Sequence, residues 1–451
     1  MTRPRADDTI IALASGAGRA GVAVLRISGP GAAGLLALLG GLPVPEPRKA
    51  AIRALRADGS YLDEALVLYM PGPNSFTGED VVELHVHGGP AVIEAVIGAA
   101  LKSRMCRLAE PGEFTRRAFE AGRIDLTQAE AVADLVDAET EGQRRQAARI
   151  YQGEAAEAFE SWRGQLISAM AALEAAIDFP DESDIPREID ISALAPIESL
   201  AAALEATLGE ATRFRLVREG FRVAILGAPN AGKSSLMNRL ARQEAAIVSP
   251  IPGTTRDVVE VRLVIAGFPV WVADTAGLRE TGDAIEAEGV RRALARAGHA
   301  DLRIWVIDAS GGTPALDVSR ETHWRPGDLV ALNKADLSDQ RMSGGADGDT
   351  FAISVLTGAG VDALEKRLAE VVRERLSSDE APLITRARHR ELVEAALAHV
   401  ERALEGARIG VGAELVSEDL RMAARSLGRI TGTVDVEDLL DRIFSSFCIG
   451  K

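Results

Sequence analysis

The run Gly227-Ala228-Pro229-Asn230-Ala231-Gly232-Lys233-Ser234 follows an apolar segment, "FRVAIL", and precedes "SLMNRL", which has helical spacing. A glycine-rich loop between a strand and a helix turns its backbone amides inward, where they cradle phosphates. Lys233 there supplies a point charge between β- and γ-phosphates, and the Ser234 hydroxyl suits Mg²⁺. A second run, "LVALNKAD", sets Asn333, Lys334, Ala335 and Asp336 just after a strand. The Asp336 carboxylate can accept from guanine N1–H and N2–H₂. Adenine offers neither donor, a mismatch of the kind worth ~10⁴-fold or more. The pair of motifs predicts GTP as the ligand.

Between them, Asp274 ends the strand "VWVAD" and can hold Mg²⁺ through water, while Gly277 offers an amide to a γ-phosphate. Thr275 and Ala276 complete that turn. "PGTTRD", residues 252 to 257, lies where a mobile switch belongs, and Thr255 is the candidate second Mg²⁺ ligand. Ser235 follows the loop, and Ser354, Val355 and Leu356 stand where a base-supporting loop belongs. After "DTAG" comes Leu278, whose side chain can neither donate nor accept a hydrogen bond. Something else must handle the attacking water. Glu280, Glu286 and Glu288 are all candidates on spacing, and each also reads as a solvated acid near a helix start.

The elements that position these residues fall into blocks. Residues 1 to 120 read as mixed α/β: "TIIALA" and "GVAVLRIS" as paired strands, a hairpin turning at Asp58-Gly59, another alternating strand in "VVELHVHG", and a helix after residue 90. Residues 121 to 215 are helical in texture, opening on a capping-box pattern at Thr127 and Glu130 and broken by the acidic, proline-containing "DFPDESDIPREID". Residues 216 to 377 alternate strands and helices as a parallel sheet requires, and 378 to 451 are helical again. This predicts an N-terminal α+β domain and an all-α domain interrupted by an inserted α/β domain. "SGAGRAG" contains a dinucleotide-type G-x-G-x-x-G, but strand alternation follows it instead of a helix. It reads as a glycine-rich strand connection.

Composition narrows the function classes. At 47% hydrophobic residues the chain can build cores. A net charge of −16 disfavours unaided, non-specific nucleic-acid binding. No apolar run is long enough to span a bilayer, the N-terminus lacks a signal-type stretch, and two cysteines cannot make a disulfide framework. A cytoplasmic location, without membrane attachment, is expected. His85 and His87 share one strand face without a third metal ligand in evident spacing, and read as satisfied strand histidines. Cys448 sits near the C-terminus, either as a small apolar residue or as a thiol available for chemistry.

Taken together, "GRAGVAVLRISGP", "PGPNSFTGEDVVELHVHGGP", "PGEFTRRAFEAGRIDLTQAEAVADL", "GAPNAGKSSLMNRL", "IPGTTRD", "DTAGLRE" and "DRIFSSFCIGK" resemble the MnmE (TrmE) family of tRNA-modification GTPases, over essentially the whole chain. The resemblance implies an N-terminal folate-binding-like domain that dimerises, and a helical domain split by a Ras-like P-loop GTPase domain. It implies a homodimer working with a flavin-containing partner, MnmG. Together they place an aminomethyl or carboxymethylaminomethyl group on C5 of the wobble uridine of certain tRNAs, drawing one carbon from a tetrahydrofolate derivative, the 5-formyl or 5,10-methylene form.

By the same resemblance, Arg26, Glu83, Arg123 and Lys451 line the folate pocket; Arg123 stands where Lys also occurs. K⁺ is held by Asn230, Ser249, Ile251 and Thr254, which extends the GTP-contacting set to Ser249 and Thr254. Glu286 is the acid that orients the water, and Lys233, Glu286 and Cys448 form the expected catalytic set. The leading reading is a K⁺-stimulated GTP hydrolase of tRNA modification. A regulatory GTPase switch is the alternative, for which folate-binding residues would be superfluous. A ribosome-assembly GTPase would call for a basic extension that the sequence lacks.

Overall fold

The computed structural model describes residues 8–178, 195–243, 259–274, 298, 300–310, 324–338, 349–379 and 382–450. The chain divides into two compact units: one of residues 1–136, 149–205 and 391–451, the other of residues 137–148 and 206–390.

In the first unit, β1 (Ile10–Leu13), β2 (Ala20–Ser28), β3 (Ala51–Ala57), β4 (Ser60–Met70), β5 (Val81–Gly88) and β6 (Arg107–Leu108) form one sheet in the order β3-β4-β5-β2-β1-β6. Pairing is antiparallel except between β1 and β6. The glycine-rich run after β1 is the β1–β2 connection, as its alternation implies. Asp58 and Gly59 both have positive φ, 49° and 79°, as the tight turn between β3 and β4 demands. Helices α1 (Ala32–Gly40) and α2 (Pro90–Lys102) belong to the main core, in which Leu25, Ile27, Leu35, Leu36, Leu84 and Val96 have no exposed surface. A smaller cluster of Ile10, Ala12, Ala109 and Phe114, with Phe76 against it, lies outside that core.

A charged lattice ties α3 (Glu113–Glu120) to the sheet. Arg117 donates to both Glu79 oxygens at 3.0 and 3.1 Å, to Glu113 at 2.9 Å and to the Asp8 carbonyl at 2.8 Å. Arg107 makes a bidentate pair with Glu113 at 2.6 and 2.9 Å, and Ser28 donates to Glu79 at 2.7 Å. Burial pushes the Glu113 carboxyl up, but Arg107, the Glu110 amide and Arg117 more than reverse this, and it lies below its ordinary value.

The helical stretch from residue 121 is three helices: α4 (Leu126–Asp137), α5 (Glu141–Tyr151) and α6 (Glu154–Asp178). Its capping box is not at Thr127 and Glu130. Asp125 accepts from the Thr127 and Gln128 amides at 2.7 and 3.1 Å, and Gln128 accepts from the Asp125 amide at 3.0 Å. An ionised Asp outcompetes a neutral hydroxyl two residues on, so the helix starts earlier. Thr127 and Glu130 are buried instead. A second box, with Gln143 accepting from the Thr140 amide at 3.2 Å and Thr140 accepting from the Gln143 amide at 3.3 Å, opens α5. Gly153, with φ of 99°, separates α5 from α6.

In the second unit, β7 (Phe221–Leu226), β8 (Val259–Ile265), β9 (Phe268–Asp274), β10 (Leu302–Asp308), β11 (Leu329–Asn333) and β12 (Thr350–Ala352) are ordered β12-β11-β10-β7-β9-β8. All neighbours are parallel except β8 and β9. The chain enters along α7 (Ala195–Glu219), which began outside this unit. Helices α8 (Lys233–Gln243) and α9 (Val361–Leu376) share the apolar core with β7, β10 and β11. The start of α5 belongs to this unit because Gln143 and Gln146 donate to the Arg218 and Phe214 carbonyls at 2.9 and 3.1 Å, and the Gly142 amide to Gly267 at 2.9 Å. Helices α10 (Ala387–Arg408), α11 (Ala413–Thr431) and α12 (Glu437–Phe444) complete the chain. No helix among the described residues is long and apolar enough to cross a membrane.

Candidate functional site

Strand β7 delivers the chain into the phosphate-type loop. Gly227 has φ of 142°, and a Cβ there would overlap the Val306 carbonyl of β10, so only glycine lets the loop leave the sheet at this point. Asn230 takes a left-handed φ of 60°, a conformation Asn tolerates better than most residues. Lys233 opens α8 and is 5% exposed. Its ammonium donates to the Gly227 and Ala228 carbonyls at 2.8 and 2.7 Å, which holds it against the loop. Phosphate oxygens would offer it charged acceptors and a stronger pairing. Ser234 and Ser235, on the first turn of α8, are exposed.

The base side of the cleft is built around Asn333, at the end of β11 and 4% exposed. Its Nδ2 donates to the Ala231 carbonyl at 2.7 Å, and its Oδ1 accepts from the Val355 amide at 3.1 Å. One amide side chain therefore fixes the distance between the phosphate loop and the loop after β12. Lys334, with φ of 62°, sends its ammonium to Asp308 at 2.5 Å. That ammonium holds the Asp308 carboxyl at about 2, against desolvation and with help from the Ser310 hydroxyl and amide. Asp336 is exposed in the short turn Ala335–Leu337. It opens onto a cleft of about 730 Å³ shared with Asn230, Gly232, Ser235, Asn333 and Leu356. Leu337 and Leu356, 63% and 88% exposed, give this cleft apolar surface suited to a purine.

Leu337, just past the base-reading motif, escapes a motif-based reading, and so do three lining residues on α8, Asn238, Arg239 and Arg242. The signal of these three was the helical spacing from Ser235, at three, four and seven residues, which puts them on one face of α8. Asp274 ends β9 opposite Ile225 of β7 in the backbone register. Ser249, Ile251, Thr254, Thr255, Thr275, Ala276, Gly277, Glu280, Glu286, Glu288 and Lys451 lie outside the described residues.

The other expected site is in the N-terminal sheet. Arg26 and Glu83 are direct cross-strand partners on β2 and β5. Arg26 Nε and Nη2 donate to one oxygen, Glu83 Oε1, at 3.0 and 2.9 Å. The guanidinium carbon lies 5.7 Å from the Phe76 ring centroid and 5.8 Å from that of Phe114. The second Glu83 oxygen is 3.4 Å from His85 Nε2, which is buried without a hydrogen-bond partner. His85 is thus not satisfied as expected, whereas His87 Nδ1 meets Asp63 at 2.7 Å. Arg123 is exposed, its stem beside Gly78. The C-terminal tail passes the same sheet: Cys448 is exposed, its carbonyl accepts from the Gly112 amide at 3.3 Å, Ile449 bridges Pro111, and Gly450 leaves no room for a Cβ against the Leu13 carbonyl.

A family profile described as the N-terminus of the GTP-binding protein TrmE matches residues 9–123, and one described as the MnmE helical domain matches residues 126–448. The chain belongs to the MnmE family. Proteins named tRNA modification GTPase MnmE resemble it over nearly their whole length. That of Maricaulis maris is 54% identical over 444 residues, covering 98% of this chain and 99% of the relative. That of Caulobacter vibrioides is 51% identical over 451 residues, covering 98% and 100%. Among solved structures, the G domain of the T. maritima FeoB iron transporter aligns at 23% identity over 33% of this chain and 97% of that one, with a TM-score of 0.25. The MnmE-family architecture, an N-terminal domain followed by a helical domain with an inserted P-loop GTPase domain, accounts for both sheets and for the split of the helical segments.

Proposed function

We propose that this chain is a K⁺-stimulated GTP hydrolase that acts as a homodimer with the flavin-containing MnmG partner, in the cytoplasm. In this reading the two proteins add a (carboxymethyl)aminomethyl group to C5 of the wobble uridine of certain tRNAs, using a tetrahydrofolate one-carbon unit. The coarse activity, GTP hydrolysis in tRNA modification, comes with membership of the MnmE family.

The observation that carries the folate part of this reading is the Arg26–Glu83 pair, set beside two phenylalanine rings on the sheet whose strand β1 the C-terminal tail meets at Leu13. A carboxylate with one oxygen taken by Arg26 and the other without a hydrogen bond fits the amidine edge of a pterin. Aromatic faces suit its ring, and exposed Arg123 and the terminal Lys451 suit its carboxylates. A GTPase acting only as a switch has no use for this set.

At the G site, Lys233, Ser234 and the loop amides would hold the phosphates, with Ser234 and Thr255 on Mg²⁺. Asn333 positions the base loop, and Asp336 would read the guanine. Asn230, Ser249, Ile251 and Thr254 would hold K⁺, which supplies positive charge where negative charge develops. Glu286 would orient and deprotonate the attacking water, the task Leu278 cannot perform. Cys448, on the tail, is assigned to the modification chemistry.

The test is binding of 5-formyltetrahydrofolate to the full-length chain. The wild type should bind and Glu83→Gln should not, with GTP turnover in the variant unchanged. A strain lacking the protein should lose the wobble-uridine modification. Absence of folate binding in the wild type, with modification still lost in that strain, would leave the regulatory-switch reading in its place.

A further inference from the structure

The loop after β12 is hydrogen-bonded within itself. The Ser354 amide donates to Ala359 and the Gly358 amide to Ser354, both at 2.8 Å, and Gly358 and Gly360 have φ of 92° and 73°. Its Val355 peptide is gripped on both sides. Asn333 accepts from the Val355 amide at 3.1 Å. From the opposite side, Arg239 of α8 reaches the Val355 carbonyl with Nη1 at 3.4 Å. The same guanidinium lies so close to Gly358 that a Cβ there would fall inside it. Arg239 Nε is buried with no hydrogen-bond partner. Native proteins rarely leave a buried donor unpaired, so the side chain sits where packing against the loop puts it and not where its own hydrogen bonds are best. Val355 and Leu356 both line the cleft, so this loop presents its backbone to the ligand's side.

We propose that Arg239 is a positioning residue for recognition of guanine at O6. It holds the carbonyl side of Val355 while Asn333 holds the amide side, and the two together fix the cleft-lining backbone of this loop against the oxygen on purine C6. Asp336 reads the other edge of the base independently. The inference rests on the reading of this cleft as the guanine site, and it adds a contact from the phosphate-side helix to the base-side loop that neither motif contains.

Affinities of the full-length wild type, Arg239→Ala and Arg239→Lys for GDP, 6-thio-GDP, IDP and ADP separate the possibilities. In 6-thio-GDP a poor acceptor replaces O6; IDP lacks the 2-amino group. Arg239→Ala should bind GDP about tenfold more weakly, the scale of one charge-assisted hydrogen bond. It should lose less affinity for 6-thio-GDP, so that the preference for oxygen at C6 shrinks while the GDP-to-IDP ratio keeps its wild-type value. Arg239→Lys, which keeps a donor but not the flat group against Gly358, should recover part of the preference. Wild-type ratios in Arg239→Ala, or loss of both ratios together, would overturn the role of Arg239. A wild type that binds ADP as tightly as GDP would instead remove the guanine reading itself, and this inference with it.

Discussion

Asn333→Ala is the most informative single change in the G site. It deletes two hydrogen bonds at once, to the Ala231 carbonyl at 2.7 Å and from the Val355 amide at 3.1 Å. Ala231 is fully buried, so its carbonyl loses a partner that water replaces poorly; Val355 is half-buried, and water can partly substitute there. A buried group left unpaired costs about 1–3 kcal/mol, and taking the lower half of that range for each gives a combined cost of about 2–4 kcal/mol. Gly232, whose close approach to Asn333 Nδ2 excludes a Cβ, also loses its neighbour. Because the bonds tie the two loops that a nucleotide bridges, the cost falls on the bound geometry. The expected result is GDP affinity reduced about 30- to 1000-fold. Stopped-flow release of a fluorescent GDP should show most of the loss in the off-rate. A variant that holds GDP as tightly as the wild type would mean that the nucleotide itself orders both loops, and that the tether described here is incidental.

Two further outcomes follow from the same reasoning. GTP turnover should be at least about tenfold faster in KCl than in NaCl, and Glu286→Ala should remove activity in either salt; equal rates in both salts would eliminate the cation from the mechanism. Glu113 has a folded pKa below its ordinary 4.5, so the stability it contributes is fully present above that value and disappears as pH falls from 4.5 through the lower folded value. Amide protection of residues 107 to 118, corrected for intrinsic exchange, should therefore fall on acidification below pH 4.5, and Glu113→Gln should flatten that fall.

The legible parts of the molecule were those in which one residue type answers a local demand. Gly227 must lack a Cβ to pass Val306, and Asp58-Gly59 must both tolerate positive φ, so each announces itself in sequence. Alternation exposed the glycine-rich connection after β1 as a turn between strands. What stayed hidden depends on partners distant in the chain. Gln143 looks like any polar helical residue until its contact with the Arg218 carbonyl, 75 positions away, explains why the first turns of α5 join the second unit. Arg239 meets Val355 across 116 positions, with no motif to mark it. The helix cap falls at Asp125, two residues ahead of Thr127, because two overlapping patterns, Asp-x-x-Gln and Thr-x-x-Glu, compete within six residues, and only charge decides between them. His85, placed correctly on its strand face, gave no hint that its Nε2 would be left without a partner.

Arg218, in the last turn of α7, donates to the carbonyl of Thr385, just ahead of α10, at 3.3 Å. The strand-and-helix module that lies between them thus begins and ends at a single spot. Closing so long a detour onto adjacent anchor points costs the flanking helices little chain entropy beyond the joint itself. A shortened chain in which a few flexible residues replace the detour would ask for no new geometry at the join, which is how a nucleotide-driven part can sit within a helical frame without rewriting it.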